Sequence, residues 1–237
     1  MPESLRGRQV ILVGGTGGVG AASTELLASE GANLIVSYRS RQDRARAFEK
    51  FGQVIQADIT RQEDRAKLLD AAPELYGLVV FAGDPARVKK AEELEPAMHS
   101  SLEVNYLGPI LLAREASTRM KPAGSIVLIC TMQAVALFPG STAYAGPKAA
   151  LLHSARILAK ELRGPSNVRV NVISPGVIAA GMAEASIASG KYDRYKDEGI
   201  VARFGRPADV AKAVRFFLEP DNYITGQTLS VDGGLTL

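Results

Sequence analysis

Short runs of consecutive apolar residues recur along the chain, each bounded by glycine, proline or charge, and they alternate with stretches of helical periodicity. The runs predict strands over residues 10–13, 34–37, 54–57, 78–82, 125–129, 168–173 and 228–231. Between them the pattern predicts helices over 21–29, stopped by Gly31, over 42–49, and through the charged stretch ending at Leu69. Further helices are expected over most of 101–120, over 143–162 and over 208–218, the last opened by Pro207 with Asp209 in its first turn. Near-continuous apolar strands alternating with helices form a parallel sheet buried on both faces. The expected fold is α/β: a single doubly wound Rossmann-like domain over 1–237, with a mostly parallel seven-stranded sheet between two helix layers. Residues 179–200, rich in Ala, Ser, Gly and Tyr, break this rhythm and form the expected substrate lid.

Composition narrows the class. Of 237 residues, 46% are apolar and 22% charged, with 23 Gly and 12 Pro, a globular profile. The net charge of +3 is spread along the chain, and its densest runs, Arg39-Ser40-Arg41 and Lys89-Lys90, are too short for a nucleic-acid surface. Cys130 is the single cysteine, which leaves no intrachain disulfide or cysteine metal cluster, and neither His99 nor His153 has metal-ligand spacing, so no metal is expected. Residues 1–8 lack the apolar run of a signal peptide and no stretch has membrane-spanning length, so a cytoplasmic location is expected.

The chemistry begins where the first strand meets Gly14-Gly15-Thr16-Gly17-Gly18-Val19-Gly20. Glycines at 14, 18 and 20 between a strand and a helix let the backbone turn tightly and bring amides near a pyrophosphate at the helix amino end. The alternative is a turn used only for compactness. No Lys-Ser or Lys-Thr follows, against a P-loop. At the end of the second strand stand Tyr38, Arg39, Ser40 and Arg41, with no carboxylate before Asp43, a pattern that favours a 2′-phosphate and hence NADP(H). Arg39 and Ser40 are the expected contacts; Arg41 is either a further contact or a solvated surface charge. Asp58 either meets the adenine amino group or begins the Asp58-Ile59-Thr60 turn. On the helix after the fifth strand, Tyr144 and Lys148 lie four residues apart and therefore on one face, where the ammonium is expected to lower the phenol pKa. Thr131 follows the fifth strand directly.

With these residues in place, the chain from Gly7 to Gly234 resembles the short-chain dehydrogenase/reductase family. Val13 through Gly20 is similar to its Thr-Gly-x-x-x-Gly-x-Gly turn, Asp58-Ile59 to its adenine-side pair, and Pro175-Gly176 to its nicotinamide-side turn. Ile224-Thr225-Gly226-Gln227 and Val231-Asp232-Gly233-Gly234 resemble the ending of bacterial 3-oxoacyl-carrier-protein reductases. The resemblance implies Asn105, Thr131, Tyr144 and Lys148 as catalytic residues, with Tyr144 the proton donor and Asn105 organising a relay water. It implies cofactor contacts along Gly14, Thr16, Gly17, Gly18, Val19 and Gly20, then Tyr38, Arg39, Ser40, Asp58 and Ile59. Ala82, Gly83, Pro175, Gly176 and Ile178, with Tyr144 and Lys148, complete that set.

Three departures stand out. Thr131 occupies the serine position, Val80-Phe81-Ala82-Gly83 replaces Asn-Asn-Ala-Gly, and Ala180 replaces a threonine beyond Pro175-Gly176. Phe81 is therefore expected to crowd the cofactor region. Pro147 is placed in the opening turn of the Tyr144 helix. Ala134, Val135, Leu137, Phe138, Val177, Ile178 and Met182 are either an apolar substrate pocket or ordinary core. The resemblance implies a small carbonyl or alcohol substrate, with a 3-oxoacyl thioester on CoA or a carrier protein as one form, and a homotetramer packed through the 101–120 and 143–162 helices. The alternative function is a nucleotide-binding regulatory or scaffold protein on the same fold.

Overall fold

The computed structural model describes residues 5–88 and 90–237; residues 1–4 and Lys89, part of the Lys89-Lys90 pair, lie outside the described residues. The strands are β1 (Gln9–Val13), β2 (Asn33–Tyr38), β3 (Gly52–Gln56), β4 (Leu75–Val80), β5 (Ser125–Ile129), β6 (Arg169–Pro175) and β7 (Thr228–Val231). They form one sheet in the order β3-β2-β1-β4-β5-β6-β7, and every pairing is parallel. The order reverses beside β1, so β2 and β4 flank it and a crevice opens at their carboxyl ends.

The helices are α1 (Gly18–Ser29), α2 (Gln42–Ala45), α3 (Gln62–Asp70), α4 (Leu94–Leu102), α5 (Gly108–Ser117), α6 (Thr142–Glu161), α7 (Glu184–Ala188), α8 (Arg194–Asp197) and α9 (Pro207–Leu218). Alternation along β1 sorts the core into two layers. Val10 and Leu12 pack with Leu27 of α1 and Val214 and Phe217 of α9. Ile11 and Val13 pack with Leu68 of α3, Leu112 of α5 and Leu151 of α6. Among the described residues, no helix is long and apolar enough to cross a membrane.

Several expected boundaries shift for identifiable reasons. β4 starts at Leu75 because Leu75, Tyr76 and Gly77 are already buried, and it ends at Val80. α1 begins inside the glycine cluster, three residues before the expected start. The expected 42–49 helix tightens into a 3₁₀ turn over Arg46–Phe51. The expected 101–120 helix begins earlier, as α4, and passes through a π-helical turn over Glu103–Leu107 before α5. Pro109 has no N–H to offer the carbonyl of Asn105 four residues back, which disfavours regular α-helix there.

Candidate active site

The glycine turn is shaped by backbone geometry. Gly14 has φ +76, a left-handed conformation that side-chain-bearing residues avoid. A Cβ on Gly20 would stand 2.4 Å from the Gly14 carbonyl oxygen, so α1 packs directly onto the turn only because position 20 is glycine. No side chain caps the amino end of α1. Its positive dipole end and first N–H groups therefore face the crevice.

Two cavities adjoin this turn. One, of about 270 Å³, is lined by Gly14, Thr16, Tyr38, Arg39, Ser40, Asp58, Ile59, Ala82 and Gly83, together with Val104. The other, of about 300 Å³, is lined by Gly18, Val19, Gly20, Thr131, Tyr144, Lys148, Pro175, Gly176 and Ile178, together with Cys130, Ala180 and Met182. Both are lined by Gly14, Gly17 and Phe81. Phe81 is thus a shared wall, half-buried and packed against the α1–α9 core. Two compartments meeting over a glycine turn and an uncapped helix fit the two halves of a dinucleotide.

The Asp58 Oδ1 shapes its turn, accepting hydrogen bonds from the Thr60 amide at 3.1 Å and the Thr60 hydroxyl at 2.8 Å, and Asp58 also lines the first cavity. Arg65, buried, braces the same turn by donating to the Ile59 carbonyl at 3.1 Å while pairing with Glu115 of α5 at 2.9 Å. Arg41 also lines the first cavity, its guanidinium tied to Asp43 at 3.1 Å. Pro175-Gly176 owes its shape to the chain's carboxyl end. A Cβ on Gly176 would meet Asp232 Cβ at 2.7 Å, and the Asp232 carboxylate is held by the Gly234 amide at 3.0 Å.

Among the expected catalytic residues, Thr131 follows β5 and its hydroxyl accepts a hydrogen bond from the Gln133 amide at 3.3 Å. Tyr144 is pushed up to about 12, chiefly by burial and then by Cys130, with Asp84 and Tyr192 adding to the rise; the hydrogen bond with Thr131 opposes it. Lys148 is buried on the next turn, its Nζ donating to the Ile129 carbonyl at 2.9 Å, and burial pushes its ammonium down to about 8. The expectation that Lys148 lowers the Tyr144 pKa is therefore corrected. Desolvation dominates both groups, and the lysine is turned toward Ile129. Tyr144 consequently keeps its proton at neutral pH.

Asn105 is fixed beside the site by three hydrogen bonds. Its Nδ2 donates to the Asp84 carbonyl at 2.9 Å and to Ser101 Oγ at 2.8 Å, while its Oδ1 accepts from the Asp84 amide at 3.0 Å. Both amide protons are committed, so the side chain braces the Gly83-Asp84 backbone. A Cβ on Gly83 would lie 3.1 Å from Asn105 Oδ1 and 3.5 Å from Lys148 Nζ, which places the three residues together. Pro147 lies past the first turn of α6, not within it, and the helix continues unbroken to Glu161.

The 179–200 segment contains a 3₁₀ turn over Gly181–Ala183 followed by α7 and α8. Gly181 Cα comes within 3.6 Å of where a Gly18 Cβ would stand, and Met182 Cε within 3.3 Å of a Gly83 Cβ, so the segment covers the glycine turn. Arg87, which sequence reading did not single out, donates to the Met182 carbonyl and to Ser186 Oγ. Of the apolar pocket candidates, Ile178 and Met182 line the cavity, Val177 is buried, and Leu137 is 99% exposed and belongs to neither pocket nor core. Among the described residues, no group of His, Cys, Asp and Glu could hold a metal ion.

A doubly wound parallel sheet with a glycine turn at its switch point and a Tyr-Lys pair facing the same cavity defines a dinucleotide-dependent oxidoreductase domain. The family model described as Enoyl-(Acyl carrier protein) reductase matches residues 14–236. Carbonyl reductase family member 4 of Danio rerio is 34% identical over 239 residues, covering 97% of this chain and 98% of that protein. A short-chain dehydrogenase/reductase from Serratia marcescens superposes with a TM-score of 0.87 at 30% identity, covering 99% of this chain and 100% of that one. A short-chain dehydrogenase from Burkholderia cenocepacia in complex with NADP gives a TM-score of 0.86 at 28% identity, with the same coverage. The chain belongs to the short-chain dehydrogenase/reductase family.

Proposed function

We propose that the protein is an NADP(H)-dependent reductase of small ketones, working reversibly on the corresponding secondary alcohols, with 3-oxoacyl thioesters on CoA or a carrier protein among its substrates. The observation that carries this reading is a single cavity lined both by Gly18, Val19 and Gly20 and by Thr131, Tyr144 and Lys148. NADP(H) is held along the glycine turn, at Tyr38, Arg39 and Ser40, at Asp58-Ile59 and Ala82-Gly83, and at Pro175, Gly176 and Ile178. Its nicotinamide supplies or accepts the hydride.

The chain's own residues orient the carbonyl and move the proton. The Thr131 hydroxyl positions the substrate oxygen, and Tyr144, protonated at neutral pH, donates its phenolic proton as negative charge develops there. Lys148 places its charge beside Gly83, and Asn105 keeps that backbone in register. The Burkholderia relative in complex with NADP and the carbonyl reductase name of the Danio relative support this reading. Exposed Leu94, Met98, Leu102, Leu111 and Ile157 on α4, α5 and α6 support a homotetramer packed through those helices, which sedimentation at micromolar concentration tests; a monomer alone contradicts it.

The functional test is NADPH consumption with a cyclic ketone, an acetoacetyl thioester and a crotonyl thioester, run beside Tyr144→Phe. The wild type should reduce ketones, and Tyr144→Phe should lose roughly 10²–10⁴-fold in turnover while binding NADPH about as well. Failure to bind NADPH contradicts the proposal. Binding without turnover favours a nucleotide-binding regulator, and reduction of the crotonyl thioester alone favours enoyl chemistry.

A further inference from the structure

The cavity beside Arg39 and Asp58 takes its walls from distant parts of the chain. One wall is the turn after β3, Ala57 through Thr60; another is Val104, in the π-helical turn that leads into α5. The first wall is fixed from within. The Asp58 amide donates to Asp64 Oδ2 at 2.8 Å, and the Asp58 carboxylate accepts from Thr60. None of those bonds sets where the turn stands relative to Val104. Two contacts with α5 do. A Cβ on Gly108, the first residue of α5, would lie 3.1 Å from the Ile59 carbonyl oxygen, so the helix starts hard against the turn. Arg65 of α3, 5% exposed, supplies the second contact. Its Nη1 donates to the Ile59 carbonyl at 3.1 Å and the Thr60 carbonyl at 3.4 Å. Its Nε and Nη2 donate to the Glu115 carboxylate, two turns along α5 from Gly108, at 3.0 and 2.9 Å. Arg65 and Glu115 both stand behind the cavity and not in its lining.

We propose that Arg65 is a positioning residue for the adenine half of the cofactor: with Glu115 it clamps the 57–60 turn to α5 and so fixes that turn against Val104. A planar base held between two walls gains dispersion from both, and a gap of about 0.5–1 Å at one wall forfeits a quarter to a half of that attraction. Holding the walls in place before binding also spares the cost of ordering them. Arginine suits the task because its planar fork meets a carboxylate on one edge while another N–H reaches the backbone carbonyls, which a lysine ammonium does with fewer donors. The inference rests on the reading that a dinucleotide fills the two cavities, and it adds a residue that acts on one end of it.

The test is equilibrium binding of NADPH, followed by nicotinamide fluorescence, and of its adenosine half, adenosine 2′,5′-bisphosphate, followed by displacement. The proteins are wild type, Arg65→Met, Arg65→Lys and Glu115→Gln, each also assayed for ketone reduction. Arg65→Met should weaken both ligands by the same factor, about tenfold, while kcat at saturating NADPH and the ketone KM stay within about twofold. Arg65→Lys should fall between Arg65→Met and wild type. Glu115→Gln changes one charge at a half-buried position, so it keeps the fold and carries the test even if Arg65→Met does not fold; it should weaken both ligands about threefold. A wild type that binds neither ligand overturns the dinucleotide reading itself. A wild type that binds both, with affinities unchanged in Arg65→Met and Glu115→Gln, overturns the clamp alone. So does a loss of kcat with the bisphosphate affinity unchanged, which would make Arg65 a general structural residue.

Discussion

Lys148 and Arg169 are equally buried, each 2% exposed, yet they sit at opposite ends of the sheet in opposite circumstances. Arg169, at the amino end of β6, donates to the Phe217 carbonyl at 2.9 Å, the Glu219 carbonyl at 3.0 Å and the Tyr76 hydroxyl at 3.2 Å. Tyr76 in turn donates to the Leu218 carbonyl at 2.8 Å, and Ser125 to the Phe217 carbonyl at 2.7 Å. These groups satisfy the last carbonyls of α9, and the cation meets the negative end of its dipole. The Lys148 ammonium, near the carboxyl ends of the strands, makes one hydrogen bond among the described residues, and the residue borders a cavity. A buried charge is therefore not in itself a functional signal. The number of acceptors gathered around each is what separates the two cations.

The largest expected effect lies at Arg169. Arg169→Met removes the guanidinium donors to the Phe217 and Glu219 carbonyls and should lower unfolding free energy by about 3–5 kcal/mol in urea denaturation. A loss below about 1 kcal/mol would show that the network contributes little. Gly176→Ala should come next, costing about 1–3 kcal/mol through overpacking against Asp232 and weakening NADPH binding about tenfold by displacing the Pro175-Gly176 turn. Stability lost with NADPH affinity unchanged would separate that turn from the cofactor site. The smallest effect is expected for Thr131→Ser, which keeps the hydroxyl and removes a methyl. Its kcat/KM should stay within about fivefold of wild type while bulkier ketones gain relative to small ones, since a methylene in a pocket counts for little. A loss of more than about a hundredfold would mean that Thr131 does more than position the oxygen.

The sheet was legible in the sequence because strands covered on both faces are apolar without interruption, and all seven lie where the runs placed them, to within a few residues. The Tyr144–Lys148 pair was legible because spacing on one helix fixes a shared face. What stayed hidden depends on distant segments meeting. The commitment of the Asn105 amide depends on Asp84, 21 residues away. The burial of Arg65 and Arg169 depends on partners contributed by other elements. The early start of α4 was obscured because its apolar residues Leu94, Met98 and Leu102 face outward instead of joining the core. The direction of the Tyr144 pKa was misjudged because spacing reports proximity and not desolvation.

The contrast between the two buried cations is tested most directly by Lys148→Met, measured for both turnover and stability across pH. Because the Lys148 pKa is lowered to about 8 by burial, the unfolded chain binds the proton more readily. The stability that Lys148 contributes is present above the ordinary lysine pKa of about 10.4 and is lost as pH falls toward 8. Lys148→Met should therefore be at least as stable as wild type at pH 7, with the difference shrinking between about pH 8 and 10, while ketone reduction falls by roughly 10²-fold or more. A variant that retains turnover, or one that unfolds at pH 7 as readily as Arg169→Met, would contradict the account.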